Sequence, residues 1–166
     1  GSLTNGITPL DMAGAYQMYA NGGMRTQPYC YTRVLDSRGK VVLENRQAPQ
    51  RVMDYDSATV MNKLLQRVVN AAPGTGTDAN LGAMDIPVAG ETGTTDDDVD
   101  QWFVGLTPYY VGVCWVGYDD QFQRDEEGNL LYDGYGRKIP NSVRYSKYPP
   151  PLLWKEVMSR VHEGLE

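Results

Sequence analysis

The chain has 166 residues, a net charge of −6 and an apolar fraction of 41%, values that fit about one domain with a sizeable core. The acidic balance, with a pI near 4.8, argues against nucleic acid as a partner. No apolar run approaches the ~20 residues needed to cross a bilayer. No secretory leader is visible, and Gly1-Ser2 is compatible with a cloning scar.

The first element is a helix. Thr8 is a good N-cap, Pro9 suits the first helical position, Asp11 falls in the first turn, and Asn21-Gly22-Gly23 is a strong stop. Met12, Tyr16, Tyr19 and Ala20 share one face, expected to be a core face. Tyr29 to Leu35 and Lys40 to Leu43 read as strands joined through Asp36-Ser37-Arg38-Gly39, a hairpin with glycine in the turn. Ser37 to Lys40 also spells Ser-x-x-Lys, a nucleophile motif of acyl-transfer enzymes. We reject it, because that chemistry needs the serine at a helix start with the lysine one turn on.

Residues 45 to 55 read as an irregular connection. A helix from near Asp56 to Ala71 follows, capped by Asp56 or Ser57, with Val60, Leu64, Val68 and Ala71 on its inner face. Ala72-Pro73-Gly74-Thr75-Gly76-Thr77 breaks it, and Asp78 to Ala83 is expected as a short helix. Val99 to Leu106 and Tyr110 to Tyr118 form a second hairpin, turning at Thr107-Pro108-Tyr109. Residues 121–148 read as a variable insertion, acidic and rich in glycine. Its carboxylates, like those at 96–100, are of a kind calcium takes, but the spacing matches no calcium loop and no metal site is assigned. A last helix follows Pro149-Pro150-Pro151, with Leu153, Val157 and Val161 expected inward and His162, the sole histidine, at the surface. Cys30 and Cys114 lack metal-ligand spacing and read as buried free thiols, with a disulfide open in an oxidising compartment. Hairpins and isolated helices in succession imply an α+β fold with an antiparallel sheet and packed helices.

The stretch Val88-Ala89-Gly90-Glu91-Thr92-Gly93-Thr94-Thr95 carries the chemistry. On a strand, Thr92 and Thr94 point to one face and Glu91 and Gly93 to the other. Gly93 lets a ligand or another backbone approach. Two hydroxyls beside a bare backbone suit a carboxylate or a peptide-like ligand. After an acidic turn come Trp102-Phe103-Val104-Gly105, Thr107-Pro108 and Trp115-Val116-Gly117-Tyr118-Asp119.

This run resembles the transpeptidase domain of class A (bifunctional) penicillin-binding proteins, whose third active-site motif is a Lys-Thr-Gly-Thr strand followed by those pieces. Leu3-Thr4-Asn5-Gly6, Pro9-Leu10, Met12-Ala13 and Ala20-Asn21-Gly22-Gly23 resemble the family too, as does Gly74-Thr75-Gly76-Thr77. The resemblance is weakest over 121–148. One residue departs from the pattern: Glu91 stands at the family's lysine position.

The resemblance implies that residues 1–166 are the C-terminal portion of a transpeptidase domain. The nucleophile Ser-x-x-Lys in its helical context and the Ser-x-Asn motif are missing from this stretch. It implies a substrate-binding wall for a peptidoglycan stem peptide or a β-lactam, with no cofactor. Thr94 N–H would be an oxyanion-hole donor, the Thr92 and Thr94 hydroxyls would hold the ligand carboxylate, and Gly93 and Thr95 would complete the motif. Expected partners are the N-terminal remainder of its own domain, or a second copy over an uncovered sheet face. The expected location is the extracytoplasmic face of the bacterial membrane. The alternative is a degenerate, non-catalytic relative with a scaffolding role, which Glu91 favours.

Overall fold

The computed structural model describes residues 6–145 and 147–165. Helix α1 runs Pro9–Ala20, capped by Thr8, whose hydroxyl accepts the Asp11 N–H. It ends where Gly22 and Gly23 take positive φ and Gly23 N–H reaches back to the Met18 carbonyl. Strand β1, Met24–Arg25, pairs with β4, Gln50–Arg51, so the expected irregular connection at 45–55 contains a short strand. Strands β2, Arg33–Leu35, and β3, Val41–Glu44, form the first hairpin.

Its turn chemistry recurs twice. Asp36 Oδ1 accepts from the N–H groups of Arg38 and Lys40, Asp125 Oδ1 from those of Glu127 and Asn129, and Asp133 Oδ1 from those of Tyr135 and Arg137. In each, a glycine three residues after the aspartate, Gly39, Gly128 or Gly136, takes positive φ. Residues 124–138 therefore form two successive hairpin turns held by the bridges Arg124↔Leu130 and Tyr132↔Lys138. The carboxylates of Asp125 and Asp133 are lowered below the ordinary range, first by these backbone N–H bonds.

Helix α2 spans Tyr55–Asn70 with Asp54, two residues before the expected Asp56, as its cap. Its buried residues are Ala58, Leu65 and Val69. The expected face is corrected: Val60 and Leu64 are exposed, Leu64 by 52%. The helix carries more than one apolar stripe, and the sheet takes the one whose Leu65 reaches Ala89 and Leu106. The expected short helix at 78–83 is instead two 3-10 turns, Thr77–Ala79 and Gly82–Met84.

The central sheet is antiparallel, ordered β5 (Ala89–Thr94), β6 (Asp100–Leu106) and β7 (Val111–Gly117). Opposite partners Thr92, Phe103 and Cys114 share one face; Ala89, Leu106 and Val111 share the other. Helix α3, Pro149–Val161, covers the first face by burying Pro150, Pro151, Trp154 and Met158. The Trp154 indole lies over Gly105 and Gly112, where an added Cβ would come within 2.3 Å and 2.5 Å of it, and its Nε1–H donates to the Gly112 carbonyl. This flat ring fills the glycine groove. Leu153, Val157 and Val161, expected inward, are consequently exposed.

Helix α1 packs on the opposite face, where Tyr16 and Tyr19 touch the cluster of Leu65, Ala89 and Leu106. Ala20, expected on the same inner face, is exposed. Cys30 is also exposed rather than buried, and Cys114 is half-buried; both are free thiols. Burial raises the Cys114 thiol pKa.

His162 is corrected most. It is 0% exposed, not a surface residue. Its Nδ1 lies 2.7 Å from the Met158 carbonyl, which can only accept, so Nδ1 carries the proton and Nε2 accepts the Thr107 hydroxyl at 2.8 Å. Thr107 Oγ1 in turn accepts the N–H groups of Tyr109 and Tyr110 in the β6–β7 turn. The end of α3 is thus fastened to that turn.

Candidate functional site

β5 is an outer strand of the central sheet, so one row of its backbone groups faces away from β6. Successive N–H groups on a strand point to opposite edges. Thr95 N–H points inward, to the Asp100 carbonyl at 3.1 Å. Thr92 N–H points outward and is met at 2.8 Å by the Glu91 side-chain carboxylate. By the same alternation Thr94 N–H lies on the outward edge.

This edge borders a cleft of about 780 Å³ between the strand, the start of α1 and the paired segments at Phe122 and Pro140. Its lining includes Glu91 through Thr95, Met12 and Tyr16 from α1, Trp102 from β6, and Phe122 and Pro140. Glu91, Asp96, Asp97 and Asp100 also line it, and among the described residues no lysine or arginine does. The cleft is acidic where an anion-binding site would require positive potential.

Each residue singled out in the sequence has a definite place. Glu91 lies on the α1 side, and its charge helps to raise the Tyr16 hydroxyl pKa above its ordinary value, after burial and ahead of Tyr19. Thr92 Oγ1 lies 2.8 Å from Thr75 Oγ1, which joins the motif strand to the Gly-Thr-Gly-Thr turn. Thr94 is exposed, and its hydroxyl donates to Tyr148 at 3.3 Å. Thr95 turns its hydroxyl into the 95–100 turn, accepting Asp100 N–H at 3.0 Å. Gly93 leaves the edge unobstructed: a Cβ there would meet only the Trp102 Cβ, at 3.4 Å.

The acidic turn is ordered by its neighbours. Asp97 and Asp98 take positive φ, and their carbonyls accept from Ser142 Oγ and Val143 N–H at 2.6 Å each. Asp100 accepts Trp102 Nε1–H at 2.9 Å. The rejected Ser37 and Lys40 sit in the turn of an exposed hairpin. Sequence reasoning missed Tyr148, which contacts the motif strand from the start of α3. The only signal was an aromatic residue ahead of three prolines.

The antiparallel sheet with helices on both faces is a fold this chain shares with solved penicillin-binding transpeptidase domains. The family model of the penicillin-binding protein transpeptidase domain matches residues 2–122, and the chain belongs to that family. Penicillin-binding protein 1A of Clostridium tetani is 37% identical over 163 residues, covering 98% of this chain and 19% of that protein. Penicillin-binding protein 1A of Clostridium acetobutylicum is 45% identical over 114 residues, covering 69% of this chain and 14% of its own length. The solved D,D-transpeptidase domain of a peptidoglycan glycosyltransferase from Eggerthella lenta superposes with a TM-score of 0.67 at 26% identity, covering 96% of this chain and 33% of that one. The chain therefore spans about a fifth or less of the length of these curated relatives.

Proposed function

We propose that this chain is the substrate-binding wall of a peptidoglycan D,D-transpeptidase, a serine acyltransferase that β-lactams acylate. The observation that carries this reading is the outward edge of β5, where Thr94 turns its backbone N–H toward the cleft beside a Thr92 N–H that the Glu91 carboxylate holds. A stem peptide ending in D-Ala-D-Ala would lie along that edge as an added strand. A serine supplied by the N-terminal remainder of the domain would attack the penultimate carbonyl and release the terminal D-alanine. Thr94 N–H would hold the developing oxyanion, a role typically worth ~3 kcal/mol of barrier. An amine from a second stem peptide would then take the acyl group.

That remainder is also the natural cover for the exposed Val60 and Leu64 of α2; the second copy expected over an uncovered sheet face has less support, since α3 and α1 lie on the two faces of the sheet. The chain's only Ser-x-x-Lys lies at a hairpin turn, and it contains no Ser-x-Asn. The chain alone is accordingly inactive, and the whole protein works outside the cytoplasmic membrane. No helix among the described residues is long and apolar enough to cross a membrane.

A second reading is supported by Glu91 and by the acidic lining, which holds no lysine or arginine among the described residues: a degenerate module that no longer turns over and serves as a scaffold. Incubation of the full-length protein and of this chain with a labelled penicillin, followed by intact mass, separates the cases. A single acyl adduct on the full-length protein and none on the chain supports the enzyme. No adduct on either supports the scaffold. An adduct on this chain would overturn the assignment of the nucleophile to the remainder.

A further inference from the structure

We propose that Tyr148 is a positioning residue that fixes the direction and strength of the Thr94 N–H as an oxyanion donor. This inference rests on the transpeptidase reading above.

The peptide group between Gly93 and Thr94 is one rigid plane, with the Gly93 carbonyl on one side and the Thr94 N–H on the other. The N–H faces the cleft and the carbonyl faces β6. The Tyr148 hydroxyl sits on that carbonyl, 2.5 Å from Gly93 O, and reaches the Trp102 carbonyl at 3.0 Å. Gly93 and Trp102 are direct partners in the β5–β6 ladder, so one phenol spans both carbonyls of a single rung. The same hydroxyl oxygen accepts from Thr94 Oγ1 at 3.3 Å. Tyr148 therefore holds both the peptide plane and the side chain of the residue whose N–H points at the cleft.

Two features of the sequence make such a clamp effective. Gly93 has no side chain to limit its own rotation, so the orientation of the following peptide depends on what holds its carbonyl. Tyr148 has a stiff mount: it precedes Pro149-Pro150-Pro151, and a residue before proline is driven to the extended conformation it shows here, φ −73 and ψ 105. Pro150 and Pro151 are buried, which anchors the mount to the core. A donor on the carbonyl also polarises the peptide and makes its N–H a better donor to an anion. Because the oxyanion exists only after attack, the contribution falls on the acylation rate and not on ground-state affinity.

The test is Tyr148→Phe in the full-length protein, which keeps the ring and removes the hydroxyl. Stopped-flow acylation by a fluorescent penicillin gives the rate constant and the apparent dissociation constant separately, and amide exchange by mass spectrometry reads residues 89–95 against α2. We expect the acylation rate constant to fall about tenfold with the dissociation constant unchanged, and exchange over 89–95 to rise while that of α2 is unaltered. A rate constant within twofold of wild type, or a loss confined to affinity, overturns the proposal. If the wild-type protein takes no penicillin, the enzymatic reading fails separately, and exchange decides the clamp: unchanged exchange over 89–95 in the variant overturns it, and a local rise supports it.

Discussion

The Glu91 carboxylate folds back along its own strand and accepts the Thr92 N–H at 2.8 Å. It thereby occupies an outward backbone donor two residues before Thr94, and on the resemblance it places a negative charge where a lysine is expected. At about 5 Å and an effective dielectric near 20, one such unit pair is worth roughly 3 kcal/mol. Glu91 is half-buried, so solvent reduces this figure. Glu91→Lys in the full-length protein is expected to raise the second-order rate of acylation by penicillin about ten- to a hundredfold at low salt, and by less at high salt. Equal rates for both forms at low salt would show that the charge at this position is irrelevant or offset elsewhere.

Tyr16 reports the same charge from the other side of the cleft. Burial first, then Glu91, raises its hydroxyl pKa. The group binds its proton more tightly folded than unfolded, so its stabilising contribution is complete below the ordinary tyrosine value and is lost as pH rises through the folded one. Tyrosinate absorbance titration of Glu91→Gln should bring the Tyr16 transition partway down. The shift stays incomplete because burial is the larger cause. A transition that does not move would separate Tyr16 from Glu91 electrostatically.

The groove under Trp154 has no room for a methyl group at Gly105, where an added Cβ would lie 2.3 Å from the indole. Gly105→Ala must push the ring off the sheet and disturb its bond to the Gly112 carbonyl. We expect a loss of about 3 kcal/mol of stability in urea denaturation. A loss under about 1 kcal/mol would mean that α3 is free to lift from the sheet.

The His162–Thr107 pair ties the end of α3 to the β6–β7 turn. Thr107→Val removes the acceptor for the N–H groups of Tyr109 and Tyr110 and leaves the buried His162 Nε2 without a partner. A cost of roughly 2–3 kcal/mol is expected. Native-state amide exchange should show the turn and the last turn of α3 opening together. Independent opening of the two would break the proposed coupling.

Local chemistry determined much of this protein without help from the fold. Thr8-Pro9 and Asn21-Gly22-Gly23 bounded α1, the aspartate-to-glycine spacing set the first hairpin turn, and the alternating runs on either side of Thr107-Pro108 paired as β6 and β7. The residues from Val88 to Thr95 were legible as a strand, and Ala89–Thr94 is β5, because an apolar run leading into β-branched residues at period 2 suits a pleated sheet. Tertiary structure alone decided which stripe of each helix turned inward. The groove over Gly105 and Gly112 accepts an indole, so Trp154 displaced the aliphatic stripe of α3, and Leu65 displaced Leu64 on α2. It also buried His162, since only the packed turn brings Thr107 within reach of a histidine 55 residues later. Tyr148 belongs to the same class: its hydroxyl meets Gly93 from 55 residues away, and no sequence spacing encodes a contact that exists only once α3 has been laid across the sheet.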